Sequence, residues 1–234
     1  MGSIFKFKQF EADQTGCAMK INTDGVILGA VAAHPSPVNI LDIGTGTGVI
    51  AMMLAQRFHT ARVNAVEIDE SAALTASKNC LNSPFSDRTE VDHCSFEDFK
   101  SDLKYELIVS NPPYFVNDLK NPEKRKEIAR HAGEDFFESL LKKAAGMLTE
   151  DGLLWLILPV KQAEEVVVNA VLQKLFPSKI IHVYSDRTKA SFRQIICLGF
   201  ENHQPLQEHL YIYKAQNLYT DQYKYLLRDF LLAF

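Results

Sequence analysis

The sequence predicts an α/β chain built on a doubly wound, mostly parallel sheet of seven strands, preceded by a short N-terminal hairpin. Three observations predict it. Apolar runs of strand length alternate with stretches of helix length from residue 38 onward. A glycine-rich turn follows the first of these strands, and an acidic residue, Glu67, closes the second. Composition agrees: 47% of the 234 residues are hydrophobic and 23% charged, which excludes a largely disordered chain, a collagen-like repeat and a coiled-coil rod. A chain of this length buries enough surface to need neither a disulfide nor a metal staple.

Each element follows from its residues. Phe5-Lys6-Phe7-Lys8 alternates with strand period, and Asp13-Gln14-Thr15-Gly16 reads as the turn into a second strand, Ala18 to Ile21. Thr23-Asp24 is placed to cap a helix through Val26-Ile27-Leu28 and Ala30-Val31-Ala32, which His34-Pro35-Ser36-Pro37 stops. Val38 to Ile43 is a buried strand, and Gly48 to Phe58 a helix with an apolar stripe through Ile50, Met53 and Leu54. Arg62 to Ile68, Arg88 to His93, Leu107 to Ser110 and Leu153 to Leu158 read as the next four strands. Helices are expected over Glu70 to Cys80, Asp135 to Leu148 and Ala163 to Leu175, and Lys179 to Tyr184 with Arg193 to Phe200 as a closing antiparallel pair. The expected organisation is one domain, residues 1–37 forming an extension and 38–234 the core.

Several classes are disfavoured. No apolar run approaches the ~18 residues of a membrane span, and the first ten residues have no signal-peptide core. Met1-Gly2-Ser3 is followed at position six by Lys6, which breaks the myristoylation pattern. Cys17, Cys80, Cys94 and Cys197 form no Cys-x-x-Cys pair and read as reduced thiols. The seven histidines show no ligand spacing, so no metal is expected. The expectation is a cytoplasmic protein with no membrane contact and no obligate protein partner. A net charge of −4 argues against non-specific coating of nucleic acid, leaving only local basic clusters.

Two motifs carry chemistry. In Leu41-Asp42-Ile43-Gly44-Thr45-Gly46-Thr47-Gly48, the glycines permit a tight turn and close backbone approach to a ligand. The dinucleotide fingerprint G-x-G-x-x-G fails at Val49, and the Walker lysine is absent. Glu67 ends the next strand, where a carboxylate reaches a ribose hydroxyl pair. The second motif, Asn111-Pro112-Pro113-Tyr114, leaves the fourth strand on the same sheet edge. It resembles the (Asp/Asn)-Pro-Pro-(Tyr/Phe/Trp) signature of enzymes that act on an amine conjugated to a ring or carbonyl, which is a poor nucleophile because its lone pair is delocalised. The Asn111 side-chain oxygen and the Pro112 carbonyl can accept its two N–H groups and draw the nitrogen toward tetrahedral geometry. The prolines fix the torsions of this acceptor pair in advance, and Tyr114 offers a ring for base stacking, worth roughly 1–3 kcal/mol. A structural turn and a rigid loop exit are the plainer readings of the two motifs taken singly.

With Asp42 before it and Glu67 after it, the glycine turn resembles the S-adenosylmethionine site of class I methyltransferases, which are Rossmann-like. The tetrad resembles the signature of enzymes that methylate a planar nitrogen. Together with Phe7-Lys8-Gln9-Phe10, Cys17 to Gly25 and Tyr219-Thr220-Asp221-Gln222-Tyr223, they make the whole chain similar to the bacterial tRNA1(Val) adenine-37 N6-methyltransferase family. The resemblance implies S-adenosylmethionine held by Asp42, Gly44, Gly46, Glu67 and Ile68, with Thr23 or Asp24 near the methionine end. An acidic residue after the third strand often binds the cofactor's adenine amine in such enzymes. Here Ser95 stands in that place, able to accept through its hydroxyl, with Phe96 beside it to pack on the ring. The implied acceptor is the N6 amine of adenosine in a tRNA anticodon arm. Its phosphates would meet Lys120, Lys124, Arg125, Lys126 and Arg130, and a second cluster of Arg187, Lys189 and Arg193. Solvated loops are the plainer reading of both clusters, and packing the plainer reading of the C-terminal tyrosines. Rival readings keep the fold and change the acceptor, to a protein glutamine or to adenine in rRNA or DNA. The glutamine enzymes usually add an N-terminal helical domain, for which about 37 residues leave little room. An NAD-dependent oxidoreductase and a non-catalytic S-adenosylmethionine-binding module fit less well, since neither uses the tetrad.

Overall fold

The computed structural model describes residues 4–17, 19–112 and 136–234. A short antiparallel hairpin, β1 (Ile4–Lys6) and β2 (Glu11–Asp13), leads to helix α1 (Thr23–Val31). The alternating core follows as β3 (Asn39–Ile43), α2 (Val49–Arg57), β4 (Arg62–Glu67), α3 (Glu70–Leu81), β5 (Thr89–His93) and β6 (Tyr105–Ser110). Residues 136–147 form α4 as far as they are described. The chain continues through β7 (Leu148–Leu158), α5 (Val160–Ala170), a 3-10 turn (Val171–Gln173), β8 (Phe176–Tyr184), β9 (Arg193–Gly199) and β10 (Leu206–Tyr211). A small pair, β11 (Tyr213–Ala215) and β12 (Leu218–Tyr219), and α6 (Asp221–Leu227) complete it.

The main sheet runs β10-β8-β9-β7-β6-β3-β4-β5. All neighbours are parallel except β9, which opposes both β7 and β8. Strand period divides the apolar residues between two cores. Ile40, Leu107, Val109, Trp155 and Ile157 face the side of α1 and α2. Leu41, Ile43, Ile108, Leu154, Leu156 and Leu158 face α4 and α5. Central strands buried on both faces need such near-continuous apolar runs, which is why β3, β6 and β7 are legible in the sequence. The α1 C-terminus is closed by Arg57, whose guanidinium donates to the carbonyls of Gly29 and Ala32.

Four expectations are revised. The hairpin turns at residues 7–10, not at 13–16. The Phe7 and Phe10 rings stack at 4.4 Å and both are buried, and the Phe7 N–H donates to the Phe10 carbonyl at 2.8 Å. Burying two aromatic rings outweighs the turn chemistry of Asp13 to Gly16. The sheet has eight strands rather than seven, because β10 adds parallel to β8; its sequence hides it, since Leu210 is its one buried residue. The fifth core strand begins at Leu148, five residues early, and Gly152 lies within it where a Cβ would meet the Tyr105 carbonyl oxygen at 2.8 Å. The helix expected over Ala163 to Leu175 begins at Val160 and tightens into a 3-10 turn after Ala170.

Asn79 of α3 ties the hairpin to the rest. Its Oδ1 accepts the Asp13 N–H at 2.9 Å, and its Nδ2 donates to the carbonyls of Asp13 (2.9 Å) and Thr47 (2.8 Å). Asn79→Ala removes all three of these hydrogen bonds, at a cost of roughly 2–4 kcal/mol. Thermal melting should show a fall of roughly 5–15 °C for a chain of this size; a Tm unchanged from wild type would show that the hairpin docks through its phenylalanines alone.

Candidate active site

The order of the sheet places the site. From β3 the chain winds outward through β4 and β5, then returns to β6 on the other side of β3. Ligands bind at such a switch point, outside the carboxyl ends of the strands. Ile43 and Ser110 are register partners at those ends, and the Ser110 hydroxyl donates to the Ile43 carbonyl at 2.8 Å. The glycine turn and Asn111 therefore leave the sheet from adjacent positions, roughly 4.8 Å apart.

The glycine turn is held from below. One Asp42 oxygen accepts the Thr45 hydroxyl at 2.6 Å and the Ala51 N–H at 3.1 Å. The other is buried with no hydrogen-bond partner among the described residues. Burial pushes the Asp42 carboxyl up to about 7, against the pull of the Thr45 and Ala51 donors. Gly44 and Gly46 adopt φ of +70° and +58°, a region that favours glycine, and a Cβ at either would face open space. Glu67 closes β4 with one oxygen on the Gly46 N–H and the other on the Asp69 N–H, both at 2.9 Å. Each oxygen keeps a lone pair for a further donor.

Above the turn lies a cleft of about 490 Å³, within the range of small-molecule sites. Its wall includes Gly44, Gly46, Glu67, Ile68, Ser95, Phe96, Asn111 and Pro112, so the two motifs do converge. An open glycine floor, a carboxylate with spare lone pairs and the Phe96 ring suit a nucleoside with a charged tail, and so fit S-adenosylmethionine.

Other expected residues sit elsewhere. Asp42 is wholly buried beneath the turn and is not on the cleft wall. Asn22, not Thr23-Asp24, caps α1, accepting the Gly25 N–H at 2.9 Å; Asn22 and Gly25 line the cleft, whereas Thr23 is exposed. Asp24 pairs with Arg193 at 2.7 Å, so Arg193 turns toward α1 rather than joining the exposed Arg187 and Lys189. Ser95 directs its hydroxyl to Asp98 at 2.7 Å and accepts the Asp98 N–H at 3.0 Å, forming a local turn. Pro113, Tyr114 and the cluster from Lys120 to Arg130 lie outside the described residues.

The sequence reading missed Cys17, Lys20, Asn22 and Cys94, and Phe136 of α4, all on the cleft wall. Asn22 was detectable, since an asparagine three residues before a glycine N–H is a strong cap. The places of Cys17 and Lys20 on the wall could not be read from residue types, because side-chain contacts made on folding set them, such as the Ile21 N–H on Gln14 Oε1 at 2.9 Å. Among the described residues no group of three or more His, Cys, Asp and Glu side chains is placed to hold a metal ion.

The native Asp42 carboxyl titrates near 7 against an ordinary value of 3.8. Between those pH values the folded chain holds a proton that the unfolded chain has lost. The stability attached to Asp42 is therefore full below pH about 4 and falls as pH rises to about 7. Asp42→Asn removes that dependence while leaving a carbonyl acceptor. Melting without cofactor should show the variant gaining on wild type across this window and holding a constant difference above it. Parallel curves would mean that Asp42 is ionised throughout.

A family model described as the methyltransferase small domain matches residues 25–179. A predicted O-methyltransferase from Agrobacterium tumefaciens shares the fold, with a TM-score of 0.67 at 18% identity over 88% of this chain and 96% of its own. The ribosomal protein L11 methylase of Lactobacillus delbrueckii subsp. bulgaricus superposes with a TM-score of 0.58 at 16% identity, over 80% of this chain and 83% of its own. Among curated relatives, the tRNA1(Val) (adenine(37)-N6)-methyltransferase of Pedobacter heparinus is 60% identical over 100% of both chains. That of Bacteroides thetaiotaomicron is 40% identical over 98% of this chain and 97% of its own. With the glycine turn and the Asn-Pro pair converging on one cleft, and with identity of this order from end to end, the chain belongs to the tRNA1(Val) (adenine(37)-N6)-methyltransferase family of class I methyltransferases.

Proposed function

We propose that the chain methylates the exocyclic N6 amine of adenosine 37 in tRNA1(Val), taking the methyl group from S-adenosylmethionine and holding the anticodon arm. The observation that carries this reading is the pairing of Ile43 with Ser110, which sets the glycine turn beside Asn111. Identity to relatives named for this activity over their full length favours tRNA over a protein glutamine, rRNA or DNA.

When bound, S-adenosylmethionine supplies a methyl group already activated on a sulfonium sulfur, so the proposed chemistry needs no metal. Glu67 holds the ribose hydroxyls with the lone pairs its backbone bonds leave free. Asp42 acts through the turn it braces. Phe96 packs on the adenine, and Ser95, committed to Asp98, shapes that wall. Asn111 and the Pro112 carbonyl accept the two N–H groups of the target amine and aim its lone pair into the cleft, with Tyr114 stacked on the base. Proximity and orientation supply most of the acceleration. No general base is required, because the amine becomes cationic and acidic as it gains the methyl group and releases its proton to water. The anticodon loop suits the site because an unpaired adenine costs less to extrude than a duplexed one. With net charge −4, RNA affinity rests on local clusters, Lys120 to Arg130, which follow the tetrad in the sequence, and Arg187 with Lys189 after β8.

Mass-spectrometric mapping of nucleosides after incubation with tRNA1(Val) and S-adenosylmethionine tests the reading. N6-methyladenosine at position 37 is expected, and methylation of a glutamine peptide but not of tRNA would overturn it. Calorimetry should show Glu67→Ala weakening S-adenosylhomocysteine roughly 10- to 150-fold, the weight of one hydrogen bond to a charged group; heat from NAD in its place would reject the cofactor. Asn111→Ala should cut single-turnover methylation by roughly 100-fold or more while leaving cofactor affinity nearly unchanged. A fully active variant would reduce the tetrad to a rigid loop.

A further inference from the structure

The outer two strands of the sheet carry a feature that the methyl-transfer chemistry does not use. On β8, Ile181 and Val183 face the core while His182 and Tyr184 point to the opposite face. On β10, Leu210 faces the core while the exposed His209 and the half-buried Tyr211 point outward. His182 and His209 are register partners, as are Tyr184 and Tyr211. Their rings stack across the strands at 5.3 Å and 20° and at 4.8 Å and 24°, with Tyr184 and His209 5.7 Å apart between them. A ring separation equal to the strand spacing means that the rings stand upright on the sheet, side by side.

The ring planes are fixed by polar contacts. His182 Nε2 donates to Gln207 Oε1 at 2.9 Å, and the Tyr184 hydroxyl shares a hydrogen bond with His209 Nδ1 at 3.1 Å. The solvent side of the row is a ring and a planar cation, because the exposed Arg187 holds its guanidinium over Tyr211 at 5.3 Å. Exposed Lys189 adds charge nearby. The acids of this region are engaged: Asp186 accepts the Thr188 N–H at 2.8 Å, and Glu208 pairs with Lys179 at 2.9 Å. Tyr184 and Tyr211 end strands parallel to β6 in direction, so the row rises to the sheet edge that carries the cleft. It stands three to four strand spacings from β6, roughly 14–19 Å away.

Preorganised rings interleaved with guanidinium and ammonium groups match the chemistry of single-stranded nucleic acid, which offers flat bases and phosphates together. We infer that His182, Tyr184, His209 and Tyr211 form a stacking platform for unpaired bases of the RNA substrate a few nucleotides from the adenosine in the cleft, with Arg187 and Lys189 on the adjoining phosphates. This rests on the RNA reading above. The platform sets how the loop is presented, and it touches none of the reacting atoms.

The test uses the full chain with His209→Ala, Tyr211→Leu and Tyr211→Phe. Anisotropy with labelled tRNA should show affinity falling roughly 5- to 100-fold for each lost ring, with KM for tRNA rising in step and kcat at saturating tRNA nearly constant. Tyr211→Phe should restore binding, and S-adenosylhomocysteine affinity should stay at the wild-type value in all three. The salt dependence of binding should keep its slope in the ring variants and flatten in Arg187→Ala/Lys189→Ala. Ring variants that bind tRNA like wild type would overturn the platform while leaving the RNA reading intact. A wild-type chain that neither binds nor methylates tRNA would overturn both. Should the ring variants lose cofactor affinity through misfolding, the His182 and His209 ring proton resonances of wild type decide: they shift upfield on RNA addition if bases stack there, and unmoved resonances at saturating RNA overturn the platform.

Discussion

Parallel pairing of β3 with β6 is the constraint on which the site depends. Once Ile43 and Ser110 are partners, the distance between the glycine turn and Asn111 is set by strand spacing rather than by either loop. The pairing is possible because both strands are buried on two faces, with Ile40 and Leu107 against one core and Leu41 and Ile108 against the other. A slip of one residue would exchange the cores and separate the two motifs. Loops that must meet within a few ångströms are thus positioned by residues that touch neither substrate.

The glycine turn shows what that precision costs. A carboxylate lies wholly inside the fold, with one oxygen occupied twice and the other unpaired among the described residues. Burial raises the Asp42 carboxyl, and the Thr45 hydroxyl and Ala51 N–H that both donate to one of its oxygens offset part of that cost. Glu67 works differently: it stands at the cleft wall and splits its oxygens between two backbone donors, so it braces the turn and still has lone pairs to offer. Two carboxylates 25 residues apart therefore divide support and recognition between them.

Most of the core was legible because it obeys local rules. Strands such as Leu107 to Ser110 carry their burial in their own composition, and the Gly44 to Gly48 turn announces itself by spacing. The elements that escaped are fixed by partners far along the chain. β10 is an edge strand whose single buried side chain gives no period to read. The hairpin register depends on Phe7, Phe10 and Phe85 meeting in three dimensions. Thr23, Asp24 and Arg193 are ordinary polar residues in sequence, and only folding shows that two of them neutralise each other. Of the site, the residues contributed by strand ends were readable, while those of the wall from Cys17 to Asn22 were not.

That wall has a bearing on the order in which the protein is assembled. The hairpin that leads into it is joined to the far end of the chain: Phe7 bridges to Leu231, the Lys8 N–H donates to the Phe230 carbonyl at 2.8 Å, and Lys8 Nζ reaches the Phe234 carbonyl at 2.6 Å. A ribosome delivers β3 to β6 long before residues 228–234 emerge, so the floor of the cleft is made before the hairpin gains these last contacts. A chain in synthesis just past β6 thus holds its hairpin through Asn79 and Phe85, and the clamp supplied by residues 230–234 closes later.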